Sequence, residues 1–401
     1  MNYKLADRVH KVQPSFTLQM ATVAAEMRAE GVNVINFSVG EPDFNTPLHI
    51  IRAGQKAMDE GYTKYTAGPG MIEFRKAICE KLKRENDITY TPADILVSNG
   101  EKQSLYNVCQ ALFEAGDSVI VFRPYWVSFP EFVRLADAEP VLVDTVPEHN
   151  FEPDFNDLQV KKSPDVKGVI VNSPSNPTGG VWGEDALLRL LKIAKENSWV
   201  VISDECYERL VYEGEFYSTE KLNRDHQIGA NVVTCLSLSK TYAMTGWRIG
   251  YGAGITKIIK AMAKLQSQST TNPSSISQAA ATEALNGNQD FILKRNQSFK
   301  ERRDFVVEAL NKIAGISCLK PNGAFYVFPN CSKFFNKKDK NGKIIKNDSD
   351  FVNSLLENYQ VAVVQGSAFG LEGYFRISYA TSMDNLKKAL ERISNFCKSL
   401  S

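Results

Sequence analysis

Residues 168–203 read GVIVNSPSNPTGGVWGEDALLRLLKIAKENSWVVIS, and this stretch decides the fold. Its two ends, 168–172 and 199–203, are short apolar runs rich in Val and Ile, as is typical of strands buried on both faces. Between them, residues 184–196 repeat apolar side chains at helical spacing. A strand, a helix and a strand in series predict two parallel strands joined by a crossover helix.

The same alternation continues on both sides of this unit. Helical patterns at 102–114 and 128–136 separate further apolar runs, and the pattern predicts an α/β fold in which helices flank a mostly parallel, seven-stranded sheet. The five additional strands are predicted at 95–98, 118–122, 141–144, 232–236 and 248–253.

The two ends of the chain differ from this pattern and predict a smaller α+β domain. Long helical patterns at 15–31 and 290–314 accompany short strands, which are predicted at 34–37, 324–328, 362–364 and 375–379. We therefore expect an N-terminal arm and part of the small domain in 1–46, the large domain in 47–312, and the rest of the small domain in 313–401.

Composition excludes several classes of protein. The 401 residues include 47 Lys and Arg against 46 Asp and Glu, a net charge of +1, so a nucleic-acid partner is not expected. With 43% hydrophobic and 23% charged residues the chain is typical of globular proteins. No apolar run predicts a membrane span or a secretory signal. Seven scattered cysteines favour a reducing, cytoplasmic location, and four dispersed histidines predict no metal site.

Parallel sheets bind ligands beyond the carboxyl ends of their strands, so the turns there are where chemistry is expected. Asp204 and Tyr207 follow one predicted strand, and Lys240 follows another. An acid at the end of an apolar strand is costly to bury unless a cation or donor faces it, although a helix cap is the structural alternative. A lysine there is a candidate nucleophile, although most lysines are simply exposed.

Groups suited to a phosphate ester lie in the same turns. Two hydroxyls, Ser237 and Ser239, precede the lysine, and Arg248 follows it by eight residues. Gly100 opens a helix whose first N–H groups can face an anion. Asn176 lies in a loop fixed by two prolines. Each turn alone is unremarkable, and their occurrence after strands of one predicted sheet is what points to a site.

These stretches together resemble the class I, fold type I, pyridoxal phosphate aminotransferases. The resemblance spans residues 15–379, and its motifs are SPSNPTG (173–179), SDECY (203–207), SLSK (237–240) and GWRIG (246–250). Within that family the chain looks like the bacterial-type, subgroup Ib, aspartate aminotransferases. This second likeness is carried by GEPDF (40–44), KY (64–65), PYW (124–126) and AMTGW (243–247).

The resemblance implies a cofactor, pyridoxal 5'-phosphate, held covalently by Lys240, whose freed amine moves a proton during catalysis. Asp204 would keep the pyridine nitrogen protonated. Tyr207 and Asn176 would bind the ring oxygen, and Trp126 would stack on the ring.

The phosphate contacts are likewise implied by the resemblance. They come from Arg248, Ser237, Ser239, Lys102 and the backbone of Gly100 and Glu101. Tyr65 would reach the phosphate of a neighbouring subunit, which implies a homodimer with shared active sites. The chain departs from the family pattern at Ser237-Leu238-Ser239, where Gly-Ala-Ala often precedes the lysine.

The resemblance implies one set of contacts for the α-carboxylate of the substrate and another for its distal carboxylate. Arg376, together with the backbone of Gly40, would bind the α-carboxylate of the amino acid. A planar guanidinium suits this role because it can donate two parallel hydrogen bonds to a carboxylate. Ser15, Thr17 and Lys102 would receive a distal carboxylate, although Ser15 could instead cap a helix. Trp126 and Asn176 would also face the substrate.

The function implied is transamination between aspartate and 2-oxoglutarate by a ping-pong mechanism, with amino acids and 2-oxo acids as partners. Alternatives on the same cofactor are another specificity (prephenate, aromatic amino acids or kynurenine) or a lyase acting at Cβ. A non-catalytic regulatory module is disfavoured because only fourteen residues precede Ser15, too few for a DNA-binding domain. A nicotinamide dehydrogenase is disfavoured because no G-x-G-x-x-G follows a first strand.

Overall fold

A computed structural model describes residues 3–401 and places most strands in one central sheet. The predicted arm segment 1–46 therefore begins with two residues that lie outside the described part. Within 3–401 the strands are β1 (Ile35–Asn36), β2 (Ile95–Asn99), β3 (Ser118–Arg123), β4 (Glu139–Val146), β5 (Glu152–Pro153), β6 (Val166–Asn172), β7 (Val200–Asp204), β8 (Asn231–Ser237), β9 (Ile249–Gly254), β10 (Tyr326–Val327), β11 (Val361–Ala362), β12 (Val364–Gln365) and β13 (Phe375–Ser378).

Helices connect these strands and cover the sheet. They are α1 (Asp7–Lys11), α2 (Phe16–Ala29), α3 (Leu48–Asp59), α4 (Ile72–Asn86), α5 (Glu101–Leu112), α6 (Phe129–Leu135), α7 (Phe155–Lys161), α8 (Glu184–Glu196), α9 (Thr219–Asp225), α10 (Thr256–Ser269), α11 (Ser275–Asn286), α12 (Asp290–Asn311), α13 (Asp348–Tyr359) and α14 (Met383–Ser399). No helix within 3–401 has the length and apolar character that a membrane crossing requires.

The central sheet has the order β2-β9-β8-β7-β6-β3-β4-β5, and the predicted α/β class is confirmed. Strands β4, β3, β6, β7 and β8 are parallel neighbours, whereas β9 runs antiparallel to both β8 and β2. Strand β2 therefore runs in the same direction as β8. Its carboxyl end lies at the same edge of the sheet as the carboxyl ends of the parallel strands. The sheet contains seven longer strands and an eighth, β5, whose two residues pair with the end of β4 and are too few to show a pattern.

Two smaller sheets lie apart from the central one. Strands β10, β13 and β12 form an antiparallel sheet, and β1 pairs with β11 in parallel. One apolar cluster combines side chains from both chain ends, including Met20, Phe37, Phe299 and Leu390. This packing fixes β13, and with it Arg376, relative to the rest of the chain. The predicted boundaries at 46 and 312 remain a prediction.

The antiparallel strand β9 needs glycine where it passes the start of α5. A Cβ atom added to Gly250 would lie 2.3 Å from the backbone nitrogen of Glu101 and 2.8 Å from the backbone carbon of Gly100. Neither neighbour is a side chain that could rotate away, so the close approach of strand and helix depends on a missing Cβ.

We expect Gly250→Ala to lower the free energy of unfolding by about 1–3 kcal/mol, because the added methyl overpacks a backbone contact. Urea unfolding followed by circular dichroism measures this. The matched control is Gly246→Ala, whose added Cβ would have no atom within 4 Å. It should change stability by less than about 1 kcal/mol. Equal effects of the two substitutions would contradict the proposed crowding.

Candidate active site

The carboxyl ends of β2, β6 and β7 bring acidic and amide side chains together. Asp204 ends β7, and its carboxylate accepts a hydrogen bond from the backbone N–H of Cys206 at 3.2 Å. Asn172 ends β6 beside it and donates to the Asp204 carbonyl at 3.4 Å. Burial raises the pKa of Asp204, which is 3% exposed. An acid in such a place is a candidate partner for a cationic group of a ligand.

Arg376 reaches the same region from β13 and is 2% exposed. One Nη donates to the side-chain oxygen of Asn176 at 2.9 Å, and the other donates to the Ser38 carbonyl. Among residues 3–401 the Nε–H has no hydrogen-bond partner, and the guanidinium lies 4.7 Å from the centre of the Tyr326 ring. Burial lowers the pKa of Arg376. An arginine buried this way without a carboxylate is arranged to receive one.

Lys240 lies in the turn after β8, where its ammonium nitrogen donates to the Gly40 carbonyl at 2.6 Å. Burial lowers its pKa, which the nearby acidic groups Cys206, Glu101 and Glu41 only partly oppose. The free-amine form is therefore more accessible than in an exposed lysine. Gly40, predicted to support Arg376, instead contacts Lys240 through its carbonyl, while Ser38 supports the arginine.

Two phenols form a buried pair beside these groups. The Tyr207 and Tyr326 hydroxyls are 2.8 Å apart, and burial raises the pKa of Tyr207 well above its usual range and that of Tyr326 to about 12. Both phenols are thus protonated near neutral pH and can donate hydrogen bonds. A Cβ at Gly40 would lie 2.2 Å from the Tyr326 hydroxyl, so a larger residue there would displace this phenol from its pair.

A guanidinium also lies at the start of α5. Arg248 immediately precedes β9, not within it as predicted, and its φ of 55° is in the left-handed region. It donates to the Thr245 carbonyl at 2.9 Å and to the Asn99 carbonyl at 3.4 Å. Gly100 has φ 77°, and a Cβ there would lie 2.1 Å from an Arg248 nitrogen. Because β9 is antiparallel, its start places Arg248 beside the first N–H groups of α5, which suits an anion.

Lys102 and Trp126 form another side of the site. The Lys102 ammonium lies 5.0 Å from the centre of the Trp126 ring, and burial, with the charge of Arg248, lowers its pKa. Ser15 does not cap α2 through its side chain and instead shares a 2.8 Å hydrogen bond with Thr17. Thr17, which belongs to α2, and Lys102 line the same cavity.

Most of the predicted site residues line one cavity of about 560 Å³. Its lining includes Thr17, Gly40, Glu101, Lys102, Trp126, Asn176, Asp204, Tyr207, Ser237, Ser239, Lys240, Arg248 and Arg376. Ser15 and Gly100 touch lining residues. Tyr65 lies elsewhere on the chain and is 90% exposed, so its predicted contact with a neighbouring subunit stays a prediction.

Sequence reasoning missed several residues of this cavity. Ser38, Asn172, Cys206 and Tyr326 line it, and so does the side chain of Glu101, for which only the backbone was predicted. Asn172 ends a predicted strand and Cys206 lies within the quoted motif SDECY (203–207), so their position at strand ends could have indicated them. Ser38 and Tyr326 carry no local signal, because their contacts join segments far apart in the chain.

An α/β fold that presents a half-buried lysine, a buried acid and two guanidinium groups around one cavity defines an enzyme with its site at the carboxyl edge of the sheet. The family model for aminotransferase class I and II matches residues 32–393. The chain belongs to this family and is an aminotransferase, and the resemblance stated from the motifs is confirmed.

Individual relatives agree with this assignment. An aspartate/prephenate aminotransferase of Cereibacter sphaeroides is 45% identical over 398 residues, which cover 99% of each chain. The crystal structure of an aspartate aminotransferase from Rhizobium meliloti has a TM-score of 0.95 at 44% identity and covers all of both chains. An aspartate aminotransferase from Thermus thermophilus with maleate has a TM-score of 0.91 at 41% identity, covering 98% of this chain and 100% of that one.

The lowered pKa of Lys240 predicts its reactivity. In the cofactor-free chain, reductive methylation with limiting formaldehyde should reach half its maximal rate at Lys240 at a lower pH than in a lysine reference peptide in the same tube, because only the free amine reacts. Peptide mass spectrometry measures both rates from neutral to alkaline pH. A midpoint for Lys240 at or above that of the peptide would contradict the proposed environment.

Proposed function

We propose that the chain transfers the amino group of aspartate to 2-oxoglutarate, with pyridoxal 5'-phosphate in the 560 Å³ cavity. The observation that carries the proposal is that Lys240, Asp204 and Arg376, which are far apart in sequence, line this cavity together. Such a reaction requires an amine that can accept a proton, an acid and a group that binds a carboxylate. The cavity offers Lys240 with its lowered pKa, the buried Asp204 and Arg376 with an unused N–H.

The donor set fits the cofactor. Lys240 would bond to it, Asp204 would face its ring nitrogen, and Tyr207 and Asn176 would bind its ring oxygen, with Trp126 against the ring. The remaining residues suit its phosphate, namely Arg248, Ser237, Ser239, Lys102, Gly100 and the Glu101 backbone. When bound, the cofactor supplies an electron sink for negative charge at the substrate α carbon.

The residues of the chain itself would provide the proton transfer and the orientation. The amine of Lys240, once free, would take the proton from the substrate α carbon and deliver it to the C4′ carbon of the cofactor, because its lowered pKa keeps an electron pair available. Asp204 would hold a positive charge at the ring nitrogen. The protonated phenol of Tyr207 would donate a hydrogen bond, and its partner Tyr326 would keep it in place.

Two cations at different parts of the cavity suit a substrate with two carboxylates. Arg376 would bind the α-carboxylate through its guanidinium, beside Asn176 and near Gly40. Lys102, with Thr17 and Ser15, would bind the distal one. Maleate, in the Thermus thermophilus relative, is itself a dicarboxylate. Both carboxylates of aspartate or glutamate would thereby be neutralised.

A homodimer and a cytoplasmic location complete the proposal. Tyr65, exposed on the single chain, would contribute to the phosphate site of a second copy. The seven cysteines are all free, which suits a reducing compartment.

Prephenate is a second candidate for the amino acceptor. Relatives such as that of Cereibacter sphaeroides carry the name aspartate/prephenate aminotransferase. The cavity also places an aromatic surface, Trp126, directly beside the cation Lys102. A ring substrate with a second carboxylate could use both groups.

A panel of amino donors tests the proposed function. The cofactor-loaded chain is mixed with aspartate, glutamate, aromatic amino acids or kynurenine and with 2-oxoglutarate or prephenate, while the visible spectrum of the cofactor is followed. Aspartate and glutamate should change the spectrum at the lowest concentrations, and the change should reverse on adding the oxo acid. Elimination products, or a preference for aromatic donors, would contradict the proposal.

Arg376→Lys should lower kcat/KM for aspartate by about a hundredfold or more, because a point charge cannot replace two parallel hydrogen bonds worth about 3 kcal/mol. Steady-state kinetics measures it. The matched control is Arg392→Lys, in a guanidinium that donates to the Asn33 carbonyl away from the cavity, where activity should be kept. Unchanged kinetics in Arg376→Lys would refute its role.

Lys102→Ala should lower kcat/KM for aspartate and glutamate by at least about tenfold more than for phenylalanine, because only the dicarboxylates lose a charge partner. Lys56→Ala, in an exposed helix, serves as the control for loss of one positive charge. An equal loss of kcat/KM for the dicarboxylic substrates and for phenylalanine would show that Lys102 does not bind the substrate side chain.

A further inference from the structure

The side chain of Glu101 is a buried acid with no role in the function proposed above. It is the first residue of α5 and 8% exposed, and its Oε1 has no hydrogen-bond partner in the described part of the chain. A carboxylate oxygen of Glu101, one of Asp204 and the Cys206 sulfur all lie within 4.8 Å of one another. Two acids therefore meet at the position where a single acid was expected.

Two carboxylates this close and this deeply buried cannot both carry a full charge, because each disfavours ionisation of the other. Burial and then the charge of Asp204 raise the pKa of Glu101 well above its usual range, which Lys240 and Cys206 only partly oppose. Among residues 3–401, burial and the charges of both acids also raise the pKa of the thiols of Cys206 and Cys235.

The position of the proton follows from the hydrogen bonds. Asp204 accepts from the backbone N–H of Cys206, which stabilises its charged form, whereas Glu101 Oε1 has no partner of this kind. The proton therefore belongs on Glu101, whose O–H can point at Asp204.

We propose, resting on the proposed function, that Glu101 is a positioning residue that holds one proton and donates it in a hydrogen bond to Asp204, so that the pair presents a single negative charge to the ring nitrogen of the cofactor. The acid fixes the orientation of Asp204 and limits the charge at this point. The carboxyl group of Glu101 would thus act on the ring of the cofactor through Asp204 and not by direct contact.

Infrared spectroscopy tests where the proton lies. The full chain, cofactor-free and cofactor-loaded, should show the C=O stretch of buried protonated carboxyl groups at neutral pH. Glu101→Gln should weaken that band, and the remainder comes from Glu205, whose pKa burial raises to about 7. The control Glu114→Gln, at an exposed position, should keep it. A band that is absent from the wild type, or unchanged in Glu101→Gln, would overturn the proposal.

Stability against pH gives a second measurement that does not depend on activity. Because the folded-state pKa of Glu101 is raised, the folded chain keeps a proton that the unfolded chain loses, so stability should fall as pH rises above the ordinary glutamic acid value. In Glu101→Gln, which keeps the shape and a donor, the unfolding temperature should fall less steeply with pH than in wild type and Glu114→Gln. Identical pH dependence in all three chains would overturn the proposal.

These outcomes are separable from those of the proposed function. The infrared band and the pH dependence are measured on the cofactor-free chain, so they can be present even if the panel of amino donors gives no transamination. Conversely, an active aminotransferase without the band would retain the proposed function and lose the carboxyl pair.

Discussion

The common direction of β2, β6, β7 and β8 is the constraint on which the candidate site depends. Parallel strands end at one edge, so the turns that follow them meet there whatever their distance in sequence. Strand β9 runs antiparallel to its neighbours β2 and β8, so it begins at the edge of the sheet where they end. The residue just before β9 therefore lies at this edge as well. Arg248 is placed by this reversal.

The side chains of the candidate site lower the stability of the folded chain. Asp204, Glu101, Lys240 and Arg376 all line one cavity. Within the described residues, however, Arg376 has no carboxylate partner, and the only hydrogen bond that the Lys240 ammonium donates is to a carbonyl. Buried ionisable groups without full compensation lower stability, and such groups concentrate where ligands bind. A phosphate, a cationic ring nitrogen and a substrate carboxylate would each supply a missing counter-charge. The arrangement is thus explained by ligands and not by folding.

The sequence predicted the parts of the molecule that local patterns determine. The Val- and Ile-rich runs gave the long strands of the sheet, α8 was predicted with its observed bounds, and Asp204 and Lys240 were found by following strands to their ends. The strand β5 was missed because two residues are too few to show a periodic pattern. The start of β9 at Ile249 was predicted one residue too early because the ends of a glycine-rich strand are hard to locate from sequence. Side-chain pairs between distant segments, such as Tyr207 with Tyr326 or Glu101 with Asp204, leave no local signal at all.

The central claim is that the amine at position 240, among all the lysines of the chain, is the one that bonds to pyridoxal phosphate. Borohydride reduction of the cofactor-loaded chain followed by peptide mass spectrometry tests it most directly. The adduct should map to the peptide containing Lys240 and be missing from Lys240→Ala. An adduct on another lysine of the wild type, or one that survives in that variant, would contradict the account.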